Sequence, residues 1–166
     1  MQQKNTSKKT AEACFGAGCF WSVQSAFDVL PGVLSTDVGF MGGTVILDTE
    51  RPYSQVCTGI TGHAEVIHIQ FDSKKMSYVK LLDTFFALHD PTQKNRQGPD
   101  FGSQYRSVIF YYTDEQHKEA LASIKTHQKK YKQPIVIIVE KASIFYRAEE
   151  YHQKYLAKRG QTSCHI

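Results

Sequence analysis

The alternation of apolar and polar positions predicts a chain of strands and helices in regular succession. Glu12 to Phe15 reads as a short strand that stops at Gly16-Ala17-Gly18. After Cys19, the apolar residues Phe20, Val23, Phe27 and Leu30 recur at helical spacing on one face, and Pro31-Gly32 ends that helix. Val33 to Phe40 reads as a second strand, Met41 to His63 as a polar loop with glycines, and Ala64 to Phe71 as a third strand. Ser77 can cap a helix whose stripe is Leu81, Leu82, Phe85 and Leu88. The loop from His89 to Gln104 then leads to a fourth strand, Ser107 to Tyr112. The order β-α-β-β-α-β is that of an α+β, ferredoxin-like split βαβ core, with a mixed or antiparallel sheet under two helices. Beyond it, Thr113 and Gln116 form a capping box for a long helix. Ile135 to Val139 reads as a buried strand and Arg147 to Leu156 as a last helix. Residues 1–10 and 158–166 read as flexible tails.

Composition narrows the class. A chain of 166 residues that is 41% hydrophobic and 12% aromatic supports one domain, residues 1–166, with a real core. No apolar run is long enough to span a bilayer, and the lysine-bearing N-terminus has no apolar stretch of the signal-peptide kind, so no membrane and a cytoplasmic location are expected. Cys14, Cys19, Cys57 and Cys164 are irregularly spaced, with no Cys-x-x-Cys pair. That spacing argues against a secreted disulfide framework or a zinc ribbon and for catalytic or redox use. The formal charge of +4 is mild, and Lys118, Lys125, Lys129, Lys130 and Lys132 are spread over one helical stretch. A solvated helix face explains them without nucleic acid.

Candidate chemistry gathers at the element ends. Cys19 falls in the first turn of a helix, where unpaired N–H groups and the helix dipole favour a thiolate. Phe20 and Trp21, the one tryptophan, put an apolar wall beside it. Glu65 shares a strand face with Ile67, Ile69 and Phe71. Buried there, a carboxyl tends to keep its proton and can act as an acid; at the strand edge it could instead turn to solvent or pair with a cation. His63 and His68 invite a metal reading with Glu65, but His68 faces the opposite side, so no metal is expected. Tyr53 and Tyr105 stand in loops where a phenol can donate to a polar oxygen, and Asp100 is an acid in a turn.

Gly18-Cys19-Phe20-Trp21, Val56-Cys57-Thr58-Gly59, Thr61-Gly62-His63-Ala64-Glu65, His89-Asp90-Pro91 and Gly102-Ser103-Gln104-Tyr105-Arg106-Ser107, in that order, resemble the A-type peptide methionine sulfoxide reductases. The resemblance implies reduction of the S epimer of methionine sulfoxide, free or in oxidised proteins, without metal or other cofactor and with thioredoxin as electron donor. It implies Cys19 as nucleophile and Phe20 and Trp21 as the pocket for the substrate methyl group. Glu65 would be the proton donor, Tyr53 and Tyr105 the hydrogen-bond donors to the sulfoxide oxygen, and Asp100 a substrate-positioning acid. A sulfenic acid on Cys19 would condense with Cys164, on the tail, with Cys57 as the other thiol that could serve. A monomer is expected.

The sequence departs from the family pattern in places. Ser22-Val23-Gln24 replaces the usual Gly-Val-Glu, which removes a helix charge and touches no assigned role. The loop before Tyr53 lacks the usual Asn-Pro and is a few residues longer, and the tail has one cysteine rather than two. Two other classes would use some of these residues: a cysteine hydrolase with His63 as base, and a ferredoxin-like module that binds RNA through aromatics on its sheet.

Overall fold

The computed structural model describes residues 9–163. Its strands and helices run β1 (Thr10–Ala17), α1 (Phe20–Asp28), β2 (Val33–Met41), α2 (Pro52–Val56), β3 (Ala64–Asp72), α3 (Tyr78–Ala87), β4 (Arg96–Gln97), β5 (Asp100–Phe101), β6 (Ser107–Tyr111), α4 (Asp114–Gln128), β7 (Ile138–Lys141), β8 (Tyr146–Arg147) and α5 (Tyr155–Lys158). Six strands form one sheet in the order β7-β6-β1-β3-β2-β8, and β4 and β5 form a separate hairpin. The inner four, β6-β1-β3-β2, are all antiparallel neighbours, which is the split βαβ core expected of the pattern. Only β7 lies parallel to its neighbour, β6.

One sheet face carries the main core. Phe15 stacks on Phe27 of α1, Tyr78 and Phe85 of α3, with centroids 5.7, 6.0 and 5.1 Å away. Rings so placed contribute about 0.5–1.5 kcal/mol per pair beyond the area they bury. The helix starts follow the sequence. Ser77 Oγ accepts from Lys80 N at 3.1 Å, and Thr113 Oγ1 from Gln116 N at 3.1 Å. The Gln116 side chain does not close a box on Thr113. It accepts from Tyr112 N and donates to Glu12 O, so it ties α4 to β1 and β6.

Three expectations fail at the C-terminal side. Residues 135–137 are not strand, because Ile135 N donates to the Gln128 side chain and Val136 N to Pro91 O. The strand begins at Ile138 and is an exposed edge rather than a buried one. Arg147 to Leu156 is not one helix. Its first residue pairs with Gly39 in the sheet, a short 3-10 turn covers Glu150–His152, and Lys154 takes the left-handed conformation (φ 54°). The Gln153 side chain holds Val38 N and O and Ala148 O, bonds that a continuous helix would forfeit. The Met41–His63 segment is not all loop either, since Pro52 starts the short helix α2. At the tails, Thr10 already belongs to β1 and Lys158 closes α5.

Candidate active site

Cys19 sits where β1 turns into α1. It is the N-cap residue rather than a first-turn residue, half-buried, with Gly18 before it at φ 89°. A side chain at Gly18 would be strained at that φ, and its Cβ would come within 2.7 Å of Gln97. The glycine therefore lets the β4–β5 hairpin close against the cysteine. The N–H groups of the first turn of α1 have no partner within the helix. Phe20 N donates to Glu65 Oε2 at 3.2 Å, so the carboxyl group of Glu65 lies at the helix end that carries Cys19. Glu65 is 2% exposed. The sheet puts it there: Glu65 pairs with Phe40 across β2–β3, and the Phe40 ring packs on Phe20 at 5.6 Å. The reading in which Glu65 turns to solvent is overruled. His68 lies on the other face, against Phe145 and Tyr112. His63 is buried against Tyr146 and fills the space a side chain at Gly43 would need.

Tyr53 and Tyr105 converge on the same place from α2 and from the turn before β6. Burial pushes the Tyr105 phenol up, and so do the negative charges that Glu65, Cys57, Asp100 and Cys19 carry when ionised. Tyr53 is pushed up first by burial, then by its hydrogen bond to Cys57 and by the charges of Cys57, Glu65 and Tyr105. Both phenols therefore keep their protons and remain donors. Cys57, four residues after Tyr53, is an exposed residue whose thiol is pushed up mainly by partial desolvation and further by the charges of Glu65 and Glu149, with the Tyr53 hydroxyl opposing. Cys14 is fully buried and its thiol is pushed far up by that burial, so it is core.

Phe20, Trp21 and Tyr53 make an aromatic box. Phe20 lies 6.4 Å from Trp21, 6.5 Å from Tyr53 and 5.5 Å from His152. Trp21 stacks on Tyr155 at 3.8 Å and 9°, and its Nε1 donates to His152 Nδ1 at 3.1 Å. The acceptor role of Nδ1 puts the imidazole proton on Nε2, which faces Glu149 Oε2 at 3.9 Å. Burial lowers the His152 pKa, in keeping with a neutral ring. On its other flank Cys19 opens onto a cavity of about 230 Å³ lined by Ser22, Gln97, Asp100 and Ser163 among others. Cys164 lies outside the described residues; Ser163, immediately before it, lines the same cavity as Cys19.

Sequence reasoning thus names Cys19, Phe20, Trp21, Glu65, Tyr53, Tyr105 and Asp100, and the fold brings all seven to one end of the sheet. It misses His152, Glu149 and Tyr155, whose segment it reads as part of one continuous helix. It also gives Gln24 no role, although that residue is 1% exposed, as its i+4 spacing from Phe20 on the apolar face signals.

The family model described as peptide methionine sulfoxide reductase matches residues 11–166. A peptide methionine sulfoxide reductase MsrA of Methanoculleus marisnigri is 56% identical over 160 residues, 95% of each chain. In structure the chain is similar to Mxr1 of Saccharomyces cerevisiae in reduced form, at TM-score 0.85 and 34% identity over 93% of this chain and 88% of that one. It is equally similar to methionine sulfoxide reductase A of Corynebacterium diphtheriae, at TM-score 0.86 and 33% identity over 94% and 78%. With the match running through every element that carries the site, the chain belongs to the peptide methionine sulfoxide reductases of the A type.

Proposed function

We propose that this chain is a thiol-dependent oxidoreductase that reduces the S epimer of methionine sulfoxide, free or in oxidised proteins, at Cys19. The substrate methyl group enters the box of Phe20 and Trp21, which leaves the sulfoxide sulfur over the Cys19 thiolate. Tyr53 and Tyr105 donate hydrogen bonds to the sulfoxide oxygen, and Glu65 protonates it as negative charge develops there. The Cys19 sulfur takes up the oxygen, the sulfur–oxygen bond of the substrate breaks, and methionine leaves a sulfenic acid on Cys19. Asp100, beside Cys19, positions substrate or water. The observation that carries this reading is the Glu65 carboxyl group at the Phe20 N–H: an acid almost without solvent contact, at the end of the helix that starts from the nucleophile.

The second half of the cycle belongs to Cys164. Its thiol condenses with the sulfenic acid, forming the Cys19–Cys164 disulfide and releasing water, and thioredoxin returns both to thiols by exchange. Two observations support it: Ser163 lines the Cys19 cavity, and the yeast relative Mxr1 has a structure in complex with Trx2. Cys57 keeps its proton and serves Tyr53. We further take the chain to act as one catalytic domain, as a cytoplasmic monomer without metal, cofactor, nucleic acid or membrane as partner. Among the described residues no helix is long and apolar enough to cross a membrane. Stalling of Cys164→Ser after one turnover with thioredoxin tests the scheme. Normal steady-state turnover of that variant would replace it with one that uses Cys57 or attacks the sulfenic acid directly.

A further inference from the structure

Gln24 lies on the face of α1 that packs against β2 and the 148–155 segment, and its amide satisfies both sides of that contact. Nε2 donates to Thr36 O at 3.3 Å and to Thr36 Oγ1 at 3.1 Å, while Oε1 accepts from Lys154 N at 2.8 Å. Lys154 is one of two non-glycine residues with positive φ among those described, at 54°, and an L-residue persists there only when its surroundings hold it. Two holds are visible. One is Gln24 on the Lys154 amide; the other is the Lys154 ammonium, which donates to Asp28 and to Thr36 Oγ1. The left-handed turn so fixed separates His152 from Tyr155, and these two residues hold Trp21: His152 accepts from its indole N–H, and Tyr155 stacks on its ring. Gln24 itself is only one helical turn from Trp21, yet it reaches the indole through the partner segment.

We propose that Gln24 is a positioning residue for substrate binding, acting through Lys154 on His152 and Tyr155 to fix the Trp21 wall of the methyl pocket. Its amide fits this task because it carries a donor and an acceptor at once; an apolar side chain of the same size would leave the Lys154 N–H and Thr36 O unpaired inside the contact. The proposal rests on the reading of Phe20 and Trp21 as the methyl pocket. It says nothing of the chemistry at Cys19, which Gln24 does not touch.

Trp21 is the one tryptophan of the chain, so its fluorescence reports this pocket alone. Gln24→Leu is expected to shift Trp21 emission to the red, to raise KM for a methionine sulfoxide amide about tenfold, and to leave kcat within about twofold, the pattern of lost binding rather than lost chemistry. Gln24→Glu keeps an oxygen for Lys154 N, the hold through which the route runs, and gives up only the donor to Thr36 O; it is expected to keep emission and KM closer to wild type than Gln24→Leu does. On a Tyr155→Leu background, Gln24→Leu should raise KM by far less than it does alone, because the route is already cut. A folded Gln24→Leu with wild-type emission and KM would overturn the proposal, and so would equal KM effects on both backgrounds. Absence of activity in the unmodified protein would instead count against the reductase reading itself.

Discussion

Replacing Glu65 by glutamine separates the proposed acid from its structural duty. The side chain is 2% exposed and its Oε2 accepts from Phe20 N at 3.2 Å. Glutamine has nearly the same shape and can turn its carbonyl oxygen toward that N–H, so the helix end stays satisfied. The fold should lose little, because the bond to the Phe20 N–H is kept and no buried donor is left unpaired. What glutamine cannot do is give up a proton to the sulfoxide oxygen. A positioned general acid contributes about 10²–10⁴-fold, or roughly 3–5 kcal/mol of barrier. Single-turnover formation of methionine by reduced Glu65→Gln, beside a thermal melt, measures both quantities. The expected result is a rate lower by at least about a hundredfold with a melting temperature close to that of the wild type. A rate within about threefold of wild type would refute the assignment, since no acid would then be missing from the step.

Other consequences are simpler to state. Cys19→Ser should abolish methionine formation at any reductant concentration, and Cys57→Ser should leave thioredoxin-driven turnover intact. Trp21→Leu removes the stack on Tyr155 and the bond to His152; KM should rise about tenfold or more while the rate at saturation falls less, as initial rates against a methionine sulfoxide peptide will show. His89 sets a pH limit on stability. It is half-buried, its Nδ1 faces Phe85 O at 2.7 Å and its Nε2 faces Ser107 Oγ at 2.7 Å, and desolvation of the ring lowers its pKa to about 4. Because the unfolded state takes up this proton first, stability is full above about pH 6.5 and falls as the pH drops toward 4, by roughly 2–3 kcal/mol. Urea melts at pH 7 and pH 4.5 should show the fall, and His89→Gln should show less of it.

The first two thirds of the fold were legible because their burial is periodic. Phe20, Val23 and Phe27 on α1, and Glu65, Ile67, Ile69 and Phe71 on β3, alternate as the core requires, and the order of strands follows from them. Glu65 was visible as an acid on an apolar face, and the sheet register explains why it meets Phe20. The 147–158 region was not legible, since its conformation is set by long-range bonds: Gln153 to Val38, Lys154 to Gln24 and Asp28, His152 to Trp21. No local period encodes such partners. The same holds for residues 135–137, whose N–H groups go to a glutamine side chain and to a loop carbonyl rather than to a strand. Tyr53 lay in a segment without a clear pattern, and only Pro52 hinted at the short helix that carries it.

The central claim is that Cys19 removes oxygen from one epimer and passes the oxidation to a second thiol. The most direct measurement is a single turnover of the fully reduced protein with the separated S and R epimers of methionine sulfoxide, counting methionine formed and thiols lost. The account predicts about one methionine per chain from the S epimer, none from the R epimer, and the loss of two thiols as the sulfenic acid closes to a disulfide. No methionine from either epimer, or equal yields from both, would contradict it.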